Sequence, residues 1–188
     1  MKLGAYGIIR VGMVIVPEGA ENWMPVLITL GTVNVLYGAV SAMSQTDLKY
    51  VIGYSSVSHM GYVLMGVATL DRIGVGGAVL QMFSHGIMTA LMFLLVGAIY
   101  DRTHTRDINV LKGLFSRMGV TGFFFAIAGL ASLGLPGLSG FIAEFMVFTG
   151  AFRTYLPLAV LAVIGGAPTL LYTSRSSAPT RIRRPAAP

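Results

Sequence analysis

The sequence predicts an all-α, polytopic membrane protein, a transmembrane bundle of about six helices with the first truncated and one discontinuous. Of its 188 residues, 55% are apolar and only 11% are charged, and the mean hydropathy is +0.77. Soluble domains average about 25% charged residues, so this chain has too little charge to cover a water-exposed surface. Its long apolar runs, separated by short polar segments, are typical of membrane-spanning helices.

Several apolar runs approach the roughly 20 residues that a helix needs to cross ~30 Å of hydrocarbon. The runs at residues 26–46, 51–70 and 73–99 meet that length, and the overlong run at 118–150 contains glycines and a proline. The run at 155–172 is marginal. The first run, 3–16, ends at Pro17 and is too short to span a bilayer, so we expect it to be the second half of a longer helix.

The charges predict an orientation rather than a nucleic-acid partner. Four arginines lie in the last fourteen residues, and subtracting their charges from the net +6 leaves +2. No stripe of basic and aromatic residues is present, which excludes nucleic acid. The basic connection at 101–117 is expected on the cytoplasmic side, and alternation places the 44–50 connection there too, with the loop at 17–25 on the opposite side. The membrane itself is therefore the first predicted partner.

The ionisable residues Lys2, His59, His85 and Glu144 fall within the predicted helices, with Arg10 nearer an end of the first helix. A charge at the bilayer centre costs at least ~2.5 kcal/mol on insertion scales, so such residues usually face a bundle interior or a water-filled path. Each residue also has a purely structural interpretation. Lys2 could snorkel to the surface, each histidine could be a hydrogen-bonded packing residue, and Glu144 could pair with a structural cation. Four such groups on four helices favour a functional axis.

Neighbouring polar side chains extend this axis along two helix faces. Residues three or four apart share one face of a helix, and two sets have that spacing. They are Ser55, His59 and Tyr62 in one helix, and Gln81, His85 and Thr89 in another. A low-dielectric surrounding disfavours the charged forms of lysine, histidine and glutamate alike. Protons can then exchange between such groups near neutral pH, which is what a proton path requires.

The run at 118–150 is interrupted near its middle. Gly134, Pro136, Gly137 and Gly140 favour unwinding, because proline removes an amide donor and glycine weakens a helix. A discontinuous helix with an ionisable residue just past the break, here Glu144, is typical of transporter ion sites. The alternatives are a proline-kinked helix or two short re-entrant segments.

Cofactor and metal sites are not expected in this chain. It has no cysteine, which excludes disulfides and thiolate-ligated zinc or iron–sulfur centres. The glycines at 74–77 follow no strand and lack the third glycine of a dinucleotide-binding loop, so NADH binding is not predicted here.

Six motifs, in order, resemble one family. They are KLGAYG at 2–7, QTDLK at 45–49, YSSVSHMGY at 54–62, SHG at 84–86, HTRD at 104–107, and the glycine–proline segment from Gly134 to Glu144. Over residues 1–165 the chain resembles the antiporter-like, proton-translocating subunits of respiratory complex I. The most similar branch is subunit M of bacterial NADH-quinone oxidoreductase, which is subunit 4 in mitochondria.

The resemblance implies a fold and a role for the chain. Such subunits have two inverted five-helix repeats, each with a broken helix, and this partial chain would hold most of the second repeat. Lys2 would be the central-axis lysine, His59 and His85 would carry the proton onward, and Glu144 would be the terminal carboxylate. The implied function is proton translocation, coupled to quinone reduction elsewhere in the complex, as a translocase subunit without a redox centre.

The resemblance also implies partners and a location. NADH, FMN, iron–sulfur clusters and quinone would be bound by partner subunits, the neighbours would be other membrane subunits of complex I, and the location would be the bacterial inner membrane. A multisubunit cation/proton antiporter, a membrane-bound hydrogenase complex and a purely structural scaffold remain as alternatives.

The C-terminus departs from the family pattern. Residues 1–172 form the predicted partial transmembrane domain, whereas residues 173–188 read as a disordered basic tail. The basic side chains of this tail are Arg175, Arg181, Arg183 and Arg184. Its composition resembles GC-rich DNA read out of frame.

Overall fold

The computed structural model describes residues 1–111 and 118–177, with side chains described as far as residue 166. Helices make up most of this part of the chain. They are α1 (Lys2–Gly7), a π-helical turn (Ile8–Gly12), α2 (Met13–Ile15), α3 (Pro17–Ser44), α4 (Leu48–Ala68), α5 (Arg72–Thr103), α6 (Gly119–Ser132), α7 (Ser139–Thr154) and α8 (Leu156–Ser177). With residues 2–15 counted as one helix and α6–α7 as one broken helix, this gives the six transmembrane segments that the sequence predicted.

The first segment is a helix with a π-helical turn at its centre. The turn contains Arg10 and is followed by the short α2. Turns of this kind occur mostly as single bulges within α-helices, often at functional sites. The segment ends at Val16, whose φ of −130° and ψ of 65° lie outside the helical region, which is disfavoured for a residue before proline. The sequence predicted the bounds of this helix but not the π-helical turn.

Helix α3 begins earlier than predicted. Residues 17–25 were expected to form a loop because they carry two prolines and two glutamates, but they are helical. Pro17 lies at the start of the helix, where its missing N–H would have no partner anyway. Pro25 lies inside the helix. With 28 residues the helix is about 42 Å long at 1.5 Å per residue, more than the hydrocarbon thickness.

Helices α3 and α4 pack with unusually close backbones. A Cβ atom on Gly61 would lie 2.5 Å from the carbonyl oxygen of Gly31, and one on Gly31 would lie 2.9 Å from that of Gly61. Small residues at such a crossing let two membrane helices approach closely. This contact fixes the rotation of α4 and hence the direction in which His59 points.

Helix α5 is the longest element and packs against α4, α6 and α7. It and α3 are each long and apolar enough to cross a bilayer by themselves. At its end, His104 adopts a left-handed conformation with φ +50° and closes the helix. Helix α5 therefore places its own side chains at the centre of the bundle, beside α4 and the broken helix.

The two connections predicted to share one side of the membrane do lie together. The amide of Leu48 donates to the carbonyl of Arg106 at 3.0 Å, and the amide of Ile108 donates to that of Thr46 at 2.9 Å. An ion pair joins Arg106 and Asp47 at 3.5 Å. Their placement on one side is therefore confirmed, while Lys112 and Arg117 of the same basic connection lie outside the described residues.

The last described helix, α8, packs against α3 and α7. Its backbone continues to Ser177, five residues past the predicted boundary of the transmembrane domain. Residues 178–188 of the predicted tail lie outside the described residues.

Candidate functional site

The four ionisable residues of the predicted axis form one row across the bundle. Lys2 Nζ lies 3.0 Å from His85 Nδ1. The imidazole rings of His85 and His59 have centroids 5.3 Å apart, and His59 Nδ1 lies 3.4 Å from Glu144 Oε1. The row thus connects the first segment, α5, α4 and α7, none of which sequence spacing alone can relate to one another.

Burial differs along this row. His59 and His85 are each 3% exposed, the side chain of Glu144 is 18% exposed, and Lys2 is partly buried. Buried ionisable groups need partners, because an unpaired charge in a low-dielectric interior is very costly. Lys2 and His85 are within hydrogen-bond distance of each other, and His59 and Glu144 are within ion-pair distance.

Thr89 positions His85 on the side facing Lys2. Its hydroxyl lies 3.1 Å from His85 Nδ1 and also donates to the main-chain carbonyl of His85. The spacing of four residues within α5 makes this contact, as the sequence predicted. His85 Nδ1 therefore faces two polar groups, the Lys2 amine and the Thr89 hydroxyl.

His59 has polar partners on three other helices. Its Nδ1 lies 3.3 Å from Gln81 Nε2 of α5 and within reach of Glu144 of α7. Its Nε2 lies 3.4 Å from the Ser132 hydroxyl at the end of α6. Tyr62, one turn further along α4, contacts the His59 ring edge-on at a centroid distance of 6.1 Å. His59 is therefore the node at which α4, α5, α6 and α7 meet.

The predicted helix break lies between α6 and α7. Gly134 and Gly137 have φ values of +61° and +102°, a region that favours glycine, and Pro136 lies between them. A Cβ atom on Gly134 would lie 2.6 Å from Glu144 Oε2. The break therefore places bare backbone against the carboxylate. Gly140, which we had assigned to the break, instead lies in the first turn of α7 and packs near Ala131.

One predicted supporting residue does not contact the row. Ser55 is buried, but its hydroxyl donates to the carbonyl of Ile52 in its own helix at 3.0 Å. A serine within a helix often bonds the carbonyl three or four residues earlier, and this local bond competes with the contact to His59 that the spacing suggested.

Ser132 is a site residue that sequence reasoning missed. It is 2% exposed and is the last residue of α6, two positions before Gly134. The sequence offered one indication, a polar side chain immediately before a membrane helix break. It did not indicate the contact with His59, since only tertiary packing brings the two residues together.

The described side chains offer no obvious metal site. Within residues 1–111 and 118–166, no three His, Cys, Asp or Glu side chains converge as ligands. The row itself is a mixture of one amine, two imidazoles and one carboxylate. Each of these groups can bind and release a proton, so the arrangement is suited to proton exchange.

The chain is similar in sequence to known proteins. NAD(P)H-quinone oxidoreductase chain 4 of Gloeobacter violaceus is 48% identical over 154 residues, which cover 82% of this chain and 29% of that protein. Chain 4 1 of the same enzyme from Synechococcus elongatus is 44% identical over 180 residues, covering 92% of this chain and 33% of that protein. The chain thus spans about a third of the length of these curated relatives.

Solved structures have the same fold. A chain of respiratory complex I from Thermus thermophilus, with bound NADH, superposes with a TM-score of 0.92 at 31% identity, covering 99% of this chain and 40% of that one. A chain of the Mrp complex from Dietzia sp. superposes with a TM-score of 0.86 at 27% identity, covering 93% and 33%. The family model described as "NADH:quinone oxidoreductase/Mrp antiporter, TM" matches residues 1–169. The chain therefore belongs to the NADH:quinone oxidoreductase/Mrp antiporter transmembrane family.

Proposed function

We propose that this chain carries protons through the membrane along the row Lys2, His85, His59 and Glu144, as part of subunit M of a bacterial NADH-quinone oxidoreductase. The observation that carries the proposal is the row of neighbouring ionisable groups from Lys2 to Glu144. It joins four separate helices through groups that all exchange protons.

The chemistry of the row fits stepwise proton transfer. Lys2 Nζ and His85 Nδ1 are within hydrogen-bond distance, so a proton leaving the ammonium can be accepted by the imidazole lone pair. The centroids of the two imidazole rings are 5.3 Å apart, a separation that ring reorientation or one bridging water molecule can span. His59 Nδ1–H can then donate to the Glu144 carboxylate. No redox group within this chain is needed for any of these steps.

The helix break supports the role of Glu144 as the end of the row. Irregular backbone at membrane depth persists where protein buries it or where it lines a cavity. Here it brings Gly134 against the carboxylate, which leaves no side chain between Glu144 and the unwound segment. A proton could enter or leave the row at this point.

We infer the partners and cofactors from the family resemblance, and the names of the relatives support that inference. Their names describe chain 4 of an NAD(P)H-quinone oxidoreductase, and one solved structure is a respiratory complex I with bound NADH. NADH, FMN, iron–sulfur clusters and quinone would accordingly be held by other subunits. Neighbouring antiporter-like subunits would cover this chain, and quinone reduction in the complex would drive the protons. The expected location is the bacterial inner membrane.

The test is proton pumping by the assembled complex with His59→Gln. Glutamine keeps a polar side chain but cannot carry a proton, so we expect the number of protons pumped per quinone reduced to fall by roughly tenfold or more. The matched control is His104→Gln, because His104 is exposed in a connecting loop. Normal pumping by His59→Gln would refute the proposed path.

A second candidate is a subunit of a multisubunit cation/proton antiporter. The likeness to the Mrp complex of Dietzia sp. favours it, since the same fold serves in both assemblies. Transport that depends on a sodium gradient and is independent of NADH would support the antiporter over the oxidoreductase. In either assembly His59→Gln is expected to stop proton movement.

A further inference from the structure

Gln81 is the buried neighbour of the row whose chemistry the proposed path does not use. It lies on α5, one turn before His85, and is 2% exposed. Its Nε2 lies 3.3 Å from His59 Nδ1. Its Oε1 is fully buried and has no hydrogen-bond partner within the described part of the chain. The amide nitrogen of Gln81 therefore has a hydrogen-bond partner, whereas its amide oxygen has none among the described residues.

Two groups compete for one nitrogen of His59. Gln81 Nε2 and Glu144 Oε1 lie 3.3 and 3.4 Å from the same Nδ1. An amide N–H can donate only to an Nδ1 that carries no proton, whereas a carboxylate can accept only from an Nδ1 that carries one. The two contacts therefore belong to opposite protonation states of His59.

Ser132 completes the first of these states. Its hydroxyl lies 3.4 Å from His59 Nε2 and can accept the Nε2–H of a neutral imidazole. With Gln81 donating to Nδ1 and Ser132 accepting from Nε2, the neutral ring is held in one tautomer. The hydrogen bond of one ring nitrogen sets the role of the other, as is general for histidine.

Resting on the proposed function, we propose that Gln81 is a positioning residue that gates proton transfer between His59 and Glu144. While Gln81 donates to Nδ1, its N–H occupies the lone pair and His59 has no proton to give at that atom. When a proton reaches Nδ1, the amide turns so that Oε1 replaces Nε2 and shares the Nδ1–H with the Glu144 carboxylate, the stronger of the two acceptors. Transfer then breaks the N–H bond of His59 and forms an O–H bond on Glu144, and the Gln81 N–H returns to the vacated lone pair.

The unsatisfied oxygen of Gln81 supports this gate. A half turn of the amide exchanges Oε1 and Nε2 with little change of shape, because the two groups have nearly the same size. The oxygen then gains the partner that it lacks when His59 is neutral. The same residue thus fits both protonation states of His59.

The surroundings of His59 leave this role to Gln81. The titratable groups that face the ring are Tyr62 of its own helix, His85 of α5 and Glu144 of α7, and Lys2 lies beyond His85. All of these can exchange protons. Among the contacts of His59 described above, Gln81 differs in that its side chain does not titrate near neutral pH. It can therefore donate an N–H to Nδ1 without itself losing a proton.

The experiment compares Gln81→Met and Gln81→Glu in the assembled complex, measuring protons pumped per quinone reduced. Methionine keeps the volume and removes both hydrogen-bonding groups, so we expect pumping to fall by roughly tenfold while assembly is kept. In Gln81→Glu the ionised carboxylate accepts the Nδ1 hydrogen bond more strongly than an amide oxygen does, so it should hold that proton and slow its passage to Glu144. The control is Gln45→Glu, at the end of α3.

Acidic pH separates gating from packing. A protonated carboxyl has one O–H donor and one acceptor, like the amide it replaces. Pumping by Gln81→Glu, relative to the unaltered complex at each pH, should therefore recover as the pH falls. A merely structural role would produce a defect that does not change with pH.

The outcomes separate this inference from the proposed function. If His59→Gln stops pumping but Gln81→Met pumps normally, the gate is wrong and the path stands. If His59→Gln itself pumps normally, the path is wrong. Should Gln81→Met fail to assemble, Gln81→Glu decides, because it preserves the shape of glutamine, and a defect without recovery at acidic pH would overturn the gate.

Discussion

At the scale of single residues, the proposed function depends on which side chains can release a proton. Glu144 and His59 are close enough for direct exchange, at 3.4 Å. The side chain of Glu144 is more exposed than the two histidines beside it, as expected of the group nearest an end of the row. Its neighbours are the His59 ring and the bare backbone at Gly134.

Glu144→Gln in the assembled complex should severely reduce the protons pumped per quinone reduced, by roughly tenfold or more. Glutamine keeps the shape and most hydrogen bonds of glutamate but cannot take up or release a proton. Assembly of the complex should be unchanged. Glu21→Gln is the matched control, because Glu21 is exposed on the first turns of α3. Unchanged pumping would remove Glu144 from the path.

Lys2→Arg should impair pumping nearly as much as Lys2→Ala. A guanidinium stays protonated even when it is desolvated, whereas a buried ammonium can release its proton to His85. Lys49→Arg, at an exposed position in the first turn of α4, should have no effect. If Lys2→Arg pumped normally, Lys2 would act only as a fixed positive charge.

At the scale of secondary-structure elements, the broken helix is the feature that shapes the site. The amides of Gly134 and Leu138 donate to the carbonyls of Ala131 and Leu135 in tight turns, and regular helix resumes at Ser139. These turns satisfy several backbone groups that a regular helix would have paired. The positive φ values of Gly134 and Gly137 make this geometry possible.

Gly134→Ala and Gly137→Ala should separate backbone strain from the function of the break. Both positions have positive φ, so each alanine should destabilise the fold by about 1–3 kcal/mol. Only at Gly134 would the new methyl group also meet the Glu144 carboxylate, since nothing lies within 4 Å of a Cβ atom at Gly137.

We therefore expect both variants to lower the melting temperature of the complex. Only Gly134→Ala should also lose more pumping than its loss of stability explains. Equal losses of pumping in the two variants would mean that backbone strain alone disturbs the site.

At the scale of the whole molecule, the helices alternate across the membrane and bring two connections together on one side. The connection after α3 and the one after α5 are joined by backbone hydrogen bonds and by the Asp47–Arg106 ion pair. An ion pair of this partly exposed kind contributes only about 0–1 kcal/mol. The backbone pairing therefore has the larger part in holding these connections together.

Cysteine labelling can check the predicted orientation, because this sequence contains no cysteine. Thr105→Cys should react with a membrane-impermeant thiol reagent from the cytoplasmic side, and Glu21→Cys should react from the opposite side. The unaltered chain is the control for background labelling. Labelling of both positions from the same side would contradict the alternation of helices described here.

Much of this protein could be predicted from sequence because a membrane constrains it strongly. Low charge and long apolar runs predict a helical membrane protein. The energetic cost of placing ionisable groups in hydrocarbon indicates that Lys2, His59, His85 and Glu144 have a function. Proline among glycines predicts the helix break, and spacing within α5 predicts the Thr89–His85 contact. All of these depend on composition or on neighbours within one helix.

Only the tertiary structure decided how the helices face one another. Spacing predicted Ser55 beside His59, but Ser55 bonds its own helix, and the partners of His59 come from α5, α6 and α7. Ser132 and the competition between Gln81 and Glu144 for one nitrogen could not be predicted, because helix rotation depends on close packing such as that of Gly31 and Gly61. Sequence periodicity defines the faces of each helix, whereas contacts between helices depend on how all the side chains pack together.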